Sequence, residues 1–295
     1  MVINRRERLN SVTRIASVVG RPSRIGLVAA AALLALSVPA ATAGRWKLLG
    51  ISWVAFAAMA GAAPLGARAH EEGGAGPLVW GYGLASGAMI TSAAVFLVPG
   101  AVGHHPQFGG FGLALGLLAG YGGHTVGHRL AHADLPVDRT VAELTAHALS
   151  AGVVIGVVYG NMPALGPTLG LAIVSHKGPA GYAAASRLAR RGRNPSVLLL
   201  PAAGVGITAL VASAVALPAA PPVRGVVFGF AAGVFLHVAM DFLPRCEIGS
   251  EVHDLLRVEG DAHAVLDRLR TQAVLSTALG GLAVFLAWVL VEGSG

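Results

Sequence analysis

The sequence predicts an all-α integral membrane protein, and its composition and its apolar runs both point to that class. Hydrophobic residues make up 55% of the 295 residues, whereas charged residues make up only 12%. Soluble domains carry about 25% charged residues. The mean hydropathy is +0.69. The apolar runs are about 20 residues long, the length at which a helix crosses a hydrocarbon core of about 30 Å. We therefore expect one polytopic membrane unit rather than soluble domains.

The N-terminal region has two parts. Residues 1–24 form a polar, arginine-rich leader that we expect in the cytoplasm, and residues 25–43 form an apolar run that ends in Ala41-Thr42-Ala43. A basic start, an apolar middle and a small-residue site are typical of a cleaved signal segment. The same run is equally consistent with a retained anchor helix, so both interpretations stay open.

Eight further apolar runs make up a membrane domain over residues 44–295. They lie at 48–67, 79–101, 109–128, 141–160, 164–185, 196–218, 222–243 and 272–291. Glycine and proline interrupt these runs, which membrane helices tolerate because they pack closely through small residues. Residues 247–270 are polar with apolar positions at helical spacing, which predicts an amphipathic cytoplasmic segment. The expected architecture is a bundle of eight transmembrane helices plus the optional first one.

The distribution of positive charge predicts how the bundle is oriented. If the N-terminus is inside, alternating helices place most of the 21 lysine and arginine residues on the cytoplasmic side, as the positive-inside rule requires. The loops at 186–195 and 244–271 are then cytoplasmic. We expect a multi-pass protein of the cell membrane, with a cytoplasmic N-terminus if the first helix is retained. The net charge of +7 comes from short clusters between apolar runs, so a nucleic-acid partner is not expected.

Several ionisable residues lie inside the apolar runs, where lipid makes them costly and functional use is the first hypothesis. Glu143 and His147 are four residues apart and share a helix face, as do His237 and Asp241. His176 lies on a third helix. Imidazole and carboxylate groups together suit zinc, iron or manganese. The sequence therefore predicts one divalent-cation site formed by His147 and His176 with Glu143, His237 and Asp241.

A second histidine series has the spacing of a single helix face. His124, His128 and His132 recur every four residues toward the cytoplasmic end of the third run. One hypothesis is a relay of weak ligands through which the metal leaves the site. The alternative is a helix face that is hydrogen-bonded to its neighbours.

Lys177 directly follows His176 and is expected to modulate the site. An ammonium beside a bound cation weakens binding by repulsion. Alternatively, Lys177 pairs with Glu143 or Asp241, or extends its charged end along the helix toward water.

The residues around the two central histidines resemble the ZIP family of divalent-metal transporters. Residues 176–181 read His-Lys-Gly-Pro-Ala-Gly, similar to the family's His-x-x-Pro-Glu-Gly in the fifth helix. Residues 147–152 stand where the fourth helix carries a related motif, and residues 87–99 and 233–244 resemble the second and seventh helices. The resemblance implies a ZIP-like bundle that takes up metal through a midplane site.

The chain departs from the ZIP pattern at the acidic ligands. Ala151 and Ala180 stand where the motif glutamates are expected, Ala148 replaces an asparagine, and Lys177 replaces a common acid of the second site. Only His147 and His176 carry over as ligands, so a normal binuclear site is not expected.

The leading expectation is a permease that moves zinc or a similar divalent cation into the cytoplasm as its substrate. No phosphate-binding loop motif is present, so the chain is not expected to hydrolyse ATP. As a permease it is expected neither to act as an enzyme nor to hold an organic cofactor. Its expected partners are the lipid bilayer and metal ions, and a homodimer is left open.

Two alternatives from other functional classes remain. The missing glutamates favour a transport-inactive scaffold or metal sensor. A membrane iron oxidase or hydroxylase would use clustered histidines, but such enzymes need more ligands on one side of the membrane, and His104 and His105 fall on the other side.

Overall fold

The computed structural model describes residues 22–69, 75–131, 138–162, 170, 174–218, 220–244 and 262–292. Within these ranges the chain is helical and contains no β-strand. The α-helices are α1 (Arg24–Thr42), α2 (Trp46–Ala69), α3 (Gly76–Ser92), α4 (Val98–His104), α5 (Pro106–Ala131), α6 (Arg139–Asn161), α7 (Lys177–Arg190), α8 (Leu199–Ala212), α9 (Pro221–Phe242) and α10 (Ala262–Glu292). A π-helical turn, Ala93–Leu97, joins α3 to α4, and a 3-10 turn, Pro195–Leu198, precedes α8.

Seven helical segments in the described ranges are long and apolar enough to cross a membrane. They are Arg24–Thr42, Trp46–Arg68, Gly76–His104, Thr140–Asn161, Pro195–Ala212, Pro221–Phe242 and Val265–Leu290. This confirms the predicted class, an all-helical multi-pass membrane protein. The predicted number of eight is not confirmed.

The two other predicted spans differ from the seven. The run at 109–128 lies within the helix α5, which is not among them. The run at 164–185 contributes the 14-residue helix α7, and its residues 164–169 and 171–173 lie outside the described ranges.

The helices form two groups that are defined by their contacts. The first group contains α1, α2, α6, α7 and α8, in which α2 packs mainly on α7, and α8 packs on α6, α2 and α1. The second group contains α3, α4, α5, α9 and α10, in which α9 packs mainly on α5 and α10 on α3. The groups meet where α7 contacts α3, and where α6 contacts α5 and α9.

Glycine brings paired helices into backbone contact. A Cβ atom at Gly112 of α5 would lie 2.9 Å from the Cα atom of Val226 on α9. Gly233 of α9 has the same relation to α5, since a Cβ atom there would lie 2.7 Å from the Leu117 nitrogen. Lipid tails are as apolar as leucine, so membrane helices associate through such close packing rather than through the hydrophobic effect.

Hydrogen bonds identify the two ends of the molecule. At one end, the Ser23 backbone N–H donates to Ser196 Oγ (2.8 Å), and Arg191 lies 3.8 Å from the Asp138 carboxylate. We call this the arginine-rich end. At the opposite end, Asn161 Nδ2 donates to the Val215 carbonyl at 2.8 Å. Contacts of this kind at both ends are expected when successive helices cross the bundle in opposite directions.

The polar flanks of the predicted membrane domain are described only in part. Helix α10 begins at Ala262, so residues 262–270 of the predicted amphipathic segment continue into the last apolar run as one helix. Residues 247–261 of that segment and residues 1–21 of the leader lie outside the described ranges. The apolar run at 25–43 forms α1, whose Leu33 is fully buried.

Candidate functional site

Helix α6 places His147 at the boundary between the two helix groups. Asp138 caps the helix, because its carboxylate accepts a hydrogen bond from the Thr140 N–H at 2.8 Å. Gly152 then brings α6 against α8, where a Cβ atom would overlap the Val205 carbonyl oxygen. On this helix the His147 side chain is buried, with 8% of its surface exposed.

Helix α7 begins directly after the second central histidine. His176 is its N-terminal boundary residue, and the His176 carbonyl accepts a hydrogen bond from the Ala180 N–H at 2.9 Å. Gly181 allows α7 to approach α2 closely, since a Cβ atom there would lie 3.0 Å from the Cα atom of Met59. The His176 side chain is consequently 1% exposed.

The two histidines lie side by side and share an aromatic neighbour. Their ring centroids are 5.7 Å apart. The Phe235 ring of α9 lies 6.2 Å from the His147 ring and 5.4 Å from the His176 ring, and is nearly perpendicular to the latter. The three rings bring together helices α6 and α7 of the first group and helix α9 of the second.

This separation suits two ligands of one metal ion. Zinc binds imidazole nitrogens at about 2.0–2.1 Å in a tetrahedral arrangement, which places the two ring centroids roughly 5 Å apart. Both nitrogens of His147 are buried and have no hydrogen-bond partner among the described residues. A buried imidazole normally has such a partner, so a ligand for His147 is chemically reasonable.

Lys177 adds a third buried nitrogen-bearing side chain beside His176 in the chain. Its side chain is 1% exposed, and it is the largest fully buried side chain in the described ranges. It directly follows His176, the N-terminal boundary residue of α7. We expected Lys177 to pair with Glu143 or Asp241 or to reach toward water. Within the described part of the chain its ammonium has neither a hydrogen bond nor an ion pair, and it is buried.

The three other predicted ligands, Glu143, His237 and Asp241, differ in their surroundings from the His147–His176 pair. Glu143 is half-buried one turn before His147 on α6. On α9, His237 Nε2 lies 3.4 Å from Asp241 Oδ2. The His237 ring packs on α5, because a Cβ atom at Gly120 would lie 2.8 Å from the His237 Cβ atom. It therefore lies within the second group, whereas Phe235 of the same helix contacts the histidine pair.

The structure thus brings His147 and His176 together and directs His237 toward another helix. No three histidine, cysteine, aspartate or glutamate side chains form a metal-binding group within the ranges that the structure describes. Which of the five residues bind a cation stays a prediction.

The predicted relay at His124, His128 and His132 cannot be placed. Residues 124 and 128 belong to the helix α5, but their side chains lie outside the described part of the structure, as does all of His132. The relay therefore stays a prediction too.

Phe235 is the site residue that the sequence did not single out. A phenylalanine in an apolar run has no distinguishing signal, and only the packing of α9 against α6 and α7 brings its ring to the histidines.

Comparisons with known proteins give no assignment. No model of a known protein family matches the chain, and no curated protein matches its sequence. The likeness to the ZIP transporters therefore rests on the sequence motifs alone.

Proposed function

We propose that this protein is a membrane permease for a divalent cation, with His147 and His176 as the centre of its binding site. The observation that carries the proposal is the buried imidazole pair, in which His147 has no partner among the described residues. Two neutral imidazoles suit zinc and related ions. The remaining coordination positions would be filled by water or by further side chains.

The place of the pair also supports transport rather than static binding. The histidines lie on α6 and α7, and the ring that covers them belongs to α9 of the other helix group. Sites between helix groups are typical of transporters that work by rocking one bundle against the other. A small relative movement of the two groups would change the access to this pair.

A second candidate function is a transport-inactive scaffold or metal sensor. Lys177 and the alanines at 151 and 180 favour it, because they stand where the ZIP motifs that the chain resembles carry acidic ligands. The permease is preferred because burial of an imidazole such as His147, which has no partner among the described residues, is costly and has no evident purpose in a scaffold.

Reconstituted protein separates these functions. Purified full-length protein in liposomes that enclose a zinc-sensitive dye should give a saturable fluorescence rise when zinc is added outside. Empty liposomes should give none. Zinc binding to the protein without any entry would support the sensor. If zinc neither bound nor entered, the scaffold would be the remaining function.

The orientation proposed from the positive charges has its own test. In a Cys246→Ser background, Arg193→Cys should not react with a membrane-impermeant thiol reagent added to intact cells, since the arginine-rich end is expected in the cytoplasm. Gly103→Cys serves as the control, because residue 103 is exposed near the opposite end and a Cβ atom there has open space. Labelling of Arg193→Cys but not of Gly103→Cys would reverse the orientation.

A further inference from the structure

The Phe235 ring completes a triangle of three rings around the space between His147 and His176. The ring centroids of the two imidazoles are 5.7 Å apart, and the Phe235 centroid lies 6.2 Å from the first and 5.4 Å from the second. The imidazole rings bound to a tetrahedral zinc ion lie roughly 5 Å from one another. The phenyl ring thus has nearly the spacing from both histidines that a third ligand ring would have.

The packing of α9 holds this ring in place. Phe235 is 2% exposed and belongs to the same apolar cluster as Ala148 of α6. Two residues earlier, Gly233 lies against the α5 backbone, where a Cβ atom would be 2.7 Å from the Leu117 nitrogen. The ring also meets the His176 ring at 88°, an edge-to-face arrangement that aromatic pairs prefer. The position of Phe235 is therefore tied to that of α9.

No third metal ligand lies beside the pair in the described part of the chain. A phenyl group does not coordinate zinc, and the described ranges contain no group of three histidine, cysteine, aspartate or glutamate side chains. His237, two residues after Phe235, packs on α5 instead. A cation between the histidines would thus have two ligands from the described residues, whereas catalytic zinc sites have three protein ligands and structural sites have four.

The two histidines and the ring that covers them belong to different helix groups. His147 lies on α6 and His176 at the start of α7, both in the first group, whereas Phe235 lies on α9 of the second. If the groups rock against each other, α9 separates from a bound cation without breaking a coordination bond. A ligand on α9 would instead tie the two groups together through the metal.

On the basis of the proposed function, we infer that Phe235 keeps the transported metal exchangeable, because its ring occupies the place of a third ligand and confines coordination to one helix group. Binding for transport must be favourable enough for the ion to enter and weak enough for it to leave. The phenyl ring covers the histidine pair and contributes no bond to the metal. Phe235 thus sets both the affinity of the site and the ease of release.

Phe235→His is the most direct test, because it puts an imidazole in the place of the phenyl ring. The purified full-length variant should bind zinc more than about tenfold more tightly than the wild type, since even an outer-shell partner changes metal affinity roughly 10- to 100-fold. In liposomes that enclose a zinc-sensitive dye, the half-saturating zinc concentration should fall. The maximal rate of entry should also fall at least about tenfold, because tighter binding appears mainly as slower release. A mere loss of packing would weaken binding instead.

Three further variants show whether the effect is specific. Phe235→Leu keeps an apolar side chain without a ligand and should bind and transport zinc as the wild type does. Phe242→His adds the same imidazole to the same helix beside Tyr82, whose ring centroid lies 5.6 Å from that of Phe242, and should leave the zinc affinity unchanged. Phe235→Cys in the Cys246→Ser background supplies a smaller thiolate ligand. It should tighten zinc binding as Phe235→His does, and it decides the question if size exclusion shows that Phe235→His is not folded.

The outcomes distinguish the inference from the function on which it rests. Wild-type zinc affinity in Phe235→His and Phe235→Cys would overturn the inference and leave the permease standing. Tighter binding without a slower maximal rate would overturn it as well. A wild type that neither binds nor admits zinc would contradict the proposed function itself, whatever the Phe235 variants do.

Discussion

Alanine in place of His147 or of His176 is expected to abolish zinc entry into proteoliposomes. Each change removes one of two imidazole ligands, and the loss should exceed the roughly 10- to 100-fold that removal of an outer-shell partner costs. Because both side chains are buried at the junction of two helix groups, no exposed residue can replace the missing ligand. Initial rates of dye response at several zinc concentrations measure the effect.

A control histidine shows whether the effect is specific. His105 lies away from the pair, at the end of the molecule opposite the arginine-rich end, where its ring contacts Phe108. His105→Ala should therefore transport at the wild-type rate. If His147→Ala and His176→Ala both transported normally, the pair would have no role in transport and the scaffold function would gain support.

Leucine in place of Gly112 is expected to destabilise the second helix group strongly. A Cβ atom at this position would lie 2.9 Å from the Val226 Cα atom and would overlap the Val226 carbonyl oxygen. Because the obstacle is backbone, no change of side-chain rotamer relieves the collision. Overpacking usually costs about 1–3 kcal/mol, and separating α5 from α9 should reach or exceed the upper value. Thermal unfolding of the detergent-purified protein measures the loss.

Gly110 provides the matched control on the same helix. It is exposed, and a Cβ atom there would have nothing within 4 Å. Gly110→Leu should therefore be neutral, or slightly stabilising because leucine favours helix by up to about 1 kcal/mol over glycine. Equal melting temperatures for the two variants would contradict the close α5–α9 contact.

The helical membrane fold was predictable because its cause is local. A run such as 25–43 or 222–243 is apolar along its whole length, and a helix satisfies its backbone hydrogen bonds without any partner. The structure confirms these runs as helices within one or two residues. The run at 196–218 is shorter than predicted, since α8 ends at Ala212 and a turn follows.

The sequence pattern could not predict which helices pack against each other. That α5 packs on α9 depends on where Gly112 and Gly233 meet backbone across the interface, and glycine is too frequent in this chain, at 41 residues, to reveal its contacts. The residues of the π-helical turn at Ala93–Leu97 are ordinary apolar ones, and its only local signal is Pro99 just after it, which lacks the N–H of a regular helix.

The candidate site was predictable in its centre but not in its surroundings. His147 and His176 stand out because imidazoles are rare in apolar runs, and the structure places their rings together. The environment of Lys177 could not be predicted, since a lysine in an apolar run can pair, reach water or be buried. The orientation of His237 toward α5 follows from the rotation of α9 about its axis, which an apolar helix does not reveal by its composition.

X-ray absorption of the zinc-loaded protein tests the central claim most directly, because the fine structure counts the imidazoles bound to the metal. We expect one zinc ion with two imidazole nitrogens at about 2.0–2.1 Å in the wild type, and one imidazole fewer in any zinc that His147→Ala retains. Zinc bound without imidazole, or an imidazole number that is unchanged in both His147→Ala and His176→Ala, would contradict the claim.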